Sequence, residues 1–234
     1  MKTTKQATLK YAFQASLPIM AGYVVLGMGF GILMESKGYA WWWTALMSAT
    51  IYAGSMQYVA IDLLTGGATL IASALMTLLV NIRHLFYGIT MLEDYKDAGA
   101  RKPYLIFALT DETFSLVCSP KLPENVNHRD YYFFVSLFNH CYWISGSVLG
   151  ALIGSAITFN TAGIDFAMTA LFVVIFVEQW ESTRQHLPAI TGVLCTVVSL
   201  LIFGADDFLI PAMIAITAAL ILERKWLEGG AKND

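Results

Sequence analysis

Eight runs of apolar residues, each near the length of a membrane crossing and separated by short polar connections, dominate this chain. They lie at 16–35, 42–64, 68–91, 103–119, 132–157, 164–181, 187–204 and 207–223. A helix needs about 20 apolar residues to traverse the hydrocarbon core, and helices satisfy their backbone N–H and C=O groups without water. Only 13% of the 234 residues are charged, roughly half the share that keeps an ordinary domain wet. The sequence therefore predicts an all-α, polytopic transmembrane helical bundle of about eight spans, with seven as the alternative, forming a single domain over 1–234.

The connections carry the turn and charge signals: Glu35-Ser36-Lys37-Gly38, Thr65-Gly66-Gly67, the polar run 93–102, and Ser119-Pro120-Lys121-Leu122-Pro123. Aromatic rings gather at the edges (Trp41, Trp42 and Trp43; Tyr131 and Tyr132; Trp180; Trp226), the depth at which they meet lipid headgroups. The lysines at 2, 5 and 10 precede an apolar run, Leu17 to Met34, too long for the core of a secretory signal, so it reads as the first span. Cys118, Cys141 and Cys195 all fall within apolar runs and lack metal-ligand spacing, so they read as small buried hydrophobes. A net charge of -3 offers no basic surface for nucleic acid.

With the N-terminus in the cytoplasm, eight crossings leave nine Lys and Arg inside (2, 5, 10, 121, 129, 184, 224, 225, 232) and four outside (37, 96, 101, 102). That bias favours both termini inside. The run 93–102 opposes it, because its three cations would face outward. One repair is that 42–64 is a pair of re-entering half-helices, which shifts the parity. An internal repeat is also expected: Gly27 and Gly31 make one small-residue face and Gly146, Gly150 and Gly154 another. A shift of 125 residues aligns Gly29 with Gly154 and Thr44-Ala45-Leu46 with Thr169-Ala170-Leu171.

Polar groups inside lipid need an account, and four clusters demand one. Tyr52-Ala53-Gly54-Ser55-Met56-Gln57 sits mid-run. Gly54 and Ser55 weaken the helix there, and a break frees N–H groups for a carboxylate and carbonyls for a cation. In Asn81-Ile82-Arg83-His84, Arg83 cannot lose its charge and needs a partner, whereas His84 titrates most readily near neutral pH. Thr110-Asp111-Glu112-Thr113 places two carboxylates in one apolar run: one can pair with Arg83, and the other is placed to exchange a proton. Asn139-His140 reads as a polar pair between helices. Neither His-Glu-x-x-His nor Gly-x-Ser-x-Gly occurs, so no enzyme activity and no cofactor or metal is expected.

Gly-Met-Gly-Phe-Gly (27–31), Ala-Gly-Ser-Met-Gln (53–57), Asn-Ile-Arg-His (81–84) and Thr-Asp-Glu (110–112), in this order and spacing, resemble the AzlC family of branched-chain amino acid exporters. The resemblance is densest over 16–120; beyond that only the pattern of spans matches. It implies a multi-pass protein of the bacterial inner membrane that exports valine, leucine, isoleucine, methionine or a similar apolar amino acid. It also implies coupling to protons and a small hydrophobic AzlD-type membrane subunit as partner. For such a zwitterion, Gly54, Ser55, Gln57, Asn81 and Arg83 are the candidate binding residues, and His84, Asp111 and Glu112 the candidate proton-coupling ones. A channel or a secondary transporter for another small solute is the alternative.

Overall fold

The computed structural model describes residues 5–118, 120, 122–156, 166, 173, 176, 177, 180, 181 and 186–230. All regular elements among the described residues are helical. The chain divides into two compact units, Met1–Thr169 and Ala170–Asp234.

Three long helices frame the first unit: α1 (Lys5–Ser36), α4 (Leu70–Thr90) and α7 (His128–Ala156). At about 1.5 Å per residue, all three are long enough to cross a bilayer core of about 30 Å. α1 and α7 run side by side in the same direction. Near their starts the rings of Tyr11 and Tyr131 lie 5.8 Å apart, and near their ends Gly154 faces Ile32 and Glu35. Between these points the seam is built from glycine. A methyl placed on Gly27 would stand 2.9 Å from the Ser147 backbone nitrogen, and one on Gly146 would stand 2.8 Å from the Val24 carbonyl oxygen. The two glycine faces that suggest a repeat are thus the two sides of one contact. Lipid supplies no hydrophobic drive between helices, so close backbone approach is what holds this pair.

The run 42–64 is broken, as the weak Gly54-Ser55 step predicts. α2 (Trp41–Thr50) and α3 (Gly54–Thr65) are separated by Ile51, Tyr52 and Ala53, with Tyr52 at φ 45°. Both helices lie along the C-terminal half of α1. Tyr58 in α3 donates to the Leu26 carbonyl (2.6 Å). Further out, Trp43 and Met47 of α2 and Leu63 and Leu64 of α3 share a cavity with Met34, Tyr39 and Ser73. The chain therefore enters from the end where α1 finishes, turns at Tyr52 and returns to the same end.

The run 103–119, expected as one crossing, is also broken. α5 (Lys102–Phe107) and α6 (Asp111–Val117) hold only 6 and 7 residues and are separated by Ala108, Leu109 and Thr110. Arg101, just ahead of α5, pairs with Asp130 at the start of α7 (2.6 Å). α5 then follows α7 as far as His140, whose Nδ1 lies 3.2 Å from the Tyr104 hydroxyl. α6 comes back along α7, with Asn139 donating to Thr113 (3.1 Å) and Tyr131 to the Leu116 carbonyl (3.3 Å). This is a second re-entrant hairpin, entering from the opposite end. A second pair, Arg129–Asp97 (3.2 Å), and the hydrogen bond from the Asn127 N–H to Thr8 (3.0 Å) put the N-terminal end of α1, the charged run 93–102 and the start of α7 at one end of the unit. The expectation that 93–102 and Arg129 lie on opposite sides is thereby corrected. The physical reason is the helix-start chemistry of Thr110-Asp111-Glu112, which ends one helix and begins another.

The hairpin tips meet in the middle of the unit, where the rings of Tyr52 and Phe107 lie 6.1 Å apart. α4 contributes no buried residue, and Leu70 and Phe86 are 89% and 61% exposed. An apolar helix so uncovered is at home only against lipid or a membrane partner. In the second unit, α8 (Leu187–Asp207) has non-helical backbone at Gly204 (φ 79°) and packs on α9 (Leu209–Gly230). Thr191 donates to the Glu223 carboxylate there (3.0 and 3.2 Å). The expected span at 164–181 lies largely outside the described residues.

Candidate functional site

Each hairpin turns through unwound backbone, and each second limb begins at the centre of the unit. The first four N–H groups of a helix have no intrahelical partner, and its N-terminus carries a partial positive charge. α6 answers this within its own sequence. Thr110 caps it by accepting from the Thr113 N–H (3.3 Å), and Asp111 and Glu112 fill its first turn. α3 has neither a side-chain cap nor an acidic residue in its first turn. Its N-terminus therefore still favours an anion.

Arg83 on α4 lies between these two tips. Its Nη2 is 3.0 Å from Asp111 Oδ2 and donates to Ser55 Oγ at 2.7 Å. One guanidinium thus joins the second limb of each hairpin. The pair is half-buried, with side chains 30% and 29% exposed. Arg83 Nε, Asp111 Oδ1 and Asn81 Oδ1 are buried without a protein partner. Tyr87, one turn beyond Arg83, stacks on Phe114 of α6 with centroids 4.5 Å apart. The ring contact holds α4 against the second hairpin and fixes where the guanidinium can reach.

Glu112, next to Asp111, points elsewhere. Its Oε2 accepts from the Tyr23 hydroxyl on α1 (2.6 Å), and Tyr23 Oη also lies 2.6 Å from Thr110 Oγ1. Thr110 Oγ1 is 3.1 Å from Thr113 Oγ1, which accepts from Asn139 Nδ2 at 3.1 Å. The first tip has its own bracing. His140 Nε2 lies 3.3 Å from the Ser48 carbonyl, a group the helix break leaves exposed, and its ring packs on Tyr52 at 4.3 Å. Gln57 is fully buried; it donates to Ser48 Oγ (3.3 Å) and accepts from Trp143 Nε1 (2.8 Å).

Of the residues singled out in the sequence, Ser55, Arg83 and Asp111 converge directly, and Glu112 adjoins them. Gly54 begins α3, and a Cβ there would stand 3.1 Å from the Trp143 ring, so its smallness admits the tryptophan. Gln57 braces the two limbs of the first hairpin, with both ends of its amide bonded within the protein. His84 turns to Tyr87, ring centroids 5.9 Å apart. Asn139 and His140 are the interhelical polar pair that their position suggests, Asn139 holding the second hairpin and His140 reaching both. Tyr23, Tyr52 and Trp143 were not legible as site residues: aromatic residues inside apolar runs read as packing. Thr110 could have been found, because Thr followed by Asp and Glu is a helix-start signature, but the run 103–119 reads as one span with Thr110 in its interior.

A helical membrane protein whose charged groups meet at the tips of two opposed re-entrant hairpins has the architecture of a solute pathway. Comparison with known proteins narrows the class. The AzlC protein family matches residues 18–157. The chain is 46% identical over 222 residues to a protein of Bacillus subtilis named as branched-chain amino acid transport protein AzlC, covering 95% of this chain and 87% of that one. An uncharacterized membrane protein of Helicobacter pylori is 44% identical over 219 residues, 94% of this chain and 96% of its own. The inner membrane protein YgaZ of Escherichia coli is 26% identical over 227 residues, 92% and 87% of the two chains. No solved structure matches. The chain belongs to the AzlC family of membrane proteins.

Proposed function

We propose that this protein exports branched-chain or similar apolar amino acids across the bacterial inner membrane, driven by the proton gradient, together with a small hydrophobic subunit of the AzlD type. The observation that carries the reading is Arg83 joining both hairpins through Ser55 and Asp111. An ion pair at this depth is a placeholder for a zwitterion. A substrate carboxylate can replace Asp111 on the guanidinium, supported by the uncapped N-terminus of α3, while the substrate ammonium takes up the released Asp111. No charge is left unpaired during the exchange, which matters because an isolated charge in low dielectric is far more costly than a paired one.

A cavity of about 460 Å³ beside the first tip, lined in part by Met34, Met47, Ile51, Met56 and Leu63, suits the apolar side chain. Methionine walls adapt to shape, in keeping with a transporter that accepts several apolar side chains. A single methylene changes affinity by only about 1–3 kcal/mol.

Lys5, Lys10, Lys96, Arg101, Lys102 and Arg129 gather at the end of the first unit where α1 begins, and Lys37 lies at the other. By the positive-inside bias the N-terminal end faces the cytoplasm. Removing 42–64 and 103–119 from the eight crossings read in the sequence leaves the parity even, so the C-terminus goes to the cytoplasm with the N-terminus.

The test is efflux of labelled valine or leucine from loaded cells lacking their other exporters. The chain is expressed with and without its small partner, and with and without an uncoupler. Efflux that requires the chain and collapses with the uncoupler supports the reading. Efflux indifferent to the uncoupler points to facilitated diffusion. If Arg83→Ala and Asp111→Asn both leave transport intact, the site is elsewhere.

A further inference from the structure

We infer that Glu112 is the carboxyl that carries the proton, that Asp111 serves only as the counter-ion of Arg83, and that Tyr23 positions Glu112 through a reversible chain of hydroxyl groups. The inference rests on the proton-coupled reading above and divides labour between two adjacent acids that the sequence alone does not distinguish.

The division follows from partners. Asp111 is held by Arg83 at 3.0 Å, and a guanidinium has donors only. That partner suits an ionised carboxylate and no other form; protonating Asp111 would leave Arg83 without its counter-charge. Glu112 has no such partner. Among the described residues no Lys, Arg or His is within ion-pair distance of it. The groups facing it are Tyr23 from α1, Thr110 and the Asp111 carboxylate from its own hairpin, Tyr52 from the first tip and Tyr87 from α4, which interacts more strongly with Asp111. Asn139 on α7 is reached through Thr113. Arg83 is engaged by Asp111 and Ser55, His140 by Ser48 and Tyr104, and His84 packs on Tyr87.

Hydroxyls serve both states of a carboxyl, because each has one proton to give and lone pairs to receive. With Glu112 ionised, Tyr23 donates to Oε2 and Thr110 turns its hydroxyl to donate to Tyr23. With Glu112 protonated, its own O–H donates to Tyr23, Tyr23 donates to Thr110, and Thr110 donates to Thr113. The two 2.6 Å separations of Tyr23, from Glu112 Oε2 and from Thr110 Oγ1, suit either polarity; Thr110 donates to Thr113 at 3.1 Å in the protonated state, and Asn139 donates to Thr113 in both. The step is the gain or loss of one proton from water at Glu112 Oε2; only O–H bonds form and break, and no heavy atom need move. Tyr52 Oη and Asn139 Oδ1, buried beside this chain without a protein partner, are polar stations at which water can deliver it.

The chain also reaches the substrate site. Thr110 caps the helix whose next residue is Asp111. Turning the hydroxyls therefore redirects the proton of the residue that caps the short helix presenting the counter-ion, which sets the proton chain directly beside the substrate site.

The experiment uses inverted membrane vesicles from cells expressing the full chain, with two readouts for labelled valine: counterflow at equal pH, and uptake driven by an imposed pH gradient. Glu112→Gln is expected to keep counterflow at about the wild-type rate and to lose acceleration by the gradient; Asp111→Asn is expected to lose both. A Glu112→Gln protein still accelerated by the gradient overturns the inference. Loss of counterflow in Glu112→Gln overturns it as well, since Glu112 would then act in substrate movement itself. A wild-type protein indifferent to the gradient overturns the coupling reading on which this one rests, a separate result. Infrared spectra of the purified chain give a second measurement that needs no glutamine variant. A protonated-carboxyl stretch that appears on acidification and moves in Tyr23→Phe is expected, because that variant lacks only the hydroxyl. Its absence, or its indifference to Tyr23→Phe, would overturn the assignment.

Discussion

Substituting Gly150 by alanine adds one methyl group at the point where α1 and α7 approach closely. That methyl would stand 2.5 Å from the Cα of Met28 and 2.6 Å from its carbonyl carbon. Carbon atoms rest at about 3.5–4.0 Å, so the helices must separate by about 1 Å along this line. The obstacle is backbone, which cannot swing aside as a flexible side chain would. A gap of about 0.5–1 Å already forfeits a quarter to a half of a dispersion contact, and overpacking of this kind costs about 1–3 kcal/mol. For a chain of this size a loss of about 2 kcal/mol lowers Tm by about 4–8 °C.

The same displacement reaches the site. Tyr23 on α1 and Trp143 on α7 pack edge to face at 5.5 Å, and Tyr23 holds Glu112 at 2.6 Å. Moving α1 by about 1 Å takes that hydrogen bond beyond its working range. Transport should fall with stability, while insertion into the membrane persists. The assay is thermal unfolding of the detergent-solubilised protein followed by tryptophan fluorescence, alongside valine efflux. Gly22→Ala is the control: it lies on the facing helix α1, and its methyl would meet nothing within 4 Å. It should be neutral or stabilising by up to about 1 kcal/mol, the helix-propensity gain of alanine over glycine. A Gly150→Ala protein with the Tm of Gly22→Ala would refute the close-packed seam.

Three further outcomes are expected. Gln57→Leu keeps the bulk but leaves the Trp143 indole N–H buried without its acceptor, so stability should fall by about 1–3 kcal/mol, measured as a Tm loss exceeding that of an exposed Leu→Gln change on α4. Thr110→Val removes the cap of α6 at a cost of about 1 kcal/mol and interrupts the hydroxyl chain; Thr110→Ser, which preserves both, should restore stability and transport together. Single cysteines at Lys96 and Arg129 should be labelled from the same side of the membrane by an impermeant maleimide, and a cysteine at Lys37 from the other. Labelling of 96 and 129 from opposite sides would show that 103–119 crosses the bilayer and is no hairpin.

The local chemistry of this fold was legible in the chain itself. Apolar length and scarce charge require lipid-facing helices, because a helix is one of only two structures that close their backbone hydrogen bonds without water. Gly54-Ser55 marked a weak point, and the helix breaks there. Arg83 required a partner and found Asp111, one of the two acids within reach. Thr110-Asp111-Glu112 held a second break that hydropathy masked, since a window averaging 103–119 sees apolar residues and overlooks a helix start at its centre.

What only the tertiary structure decided was pairing across distance. Whether an apolar run crosses or turns back depends on where its ends are anchored. Arg101 on Asp130, Arg129 on Asp97 and Thr8 on Asn127 supply those anchors between residues 29 to 119 positions apart. No periodicity within a run encodes such contacts. The same holds for Asp111 and Glu112. As neighbours in sequence they are chemically alike, and they project in different directions from one helix turn, so one met a guanidinium and the other a tyrosine. That difference of partner, set by the packing of α1 and α4 around the second hairpin, separates a fixed counter-ion from a carboxyl whose partners accommodate a proton.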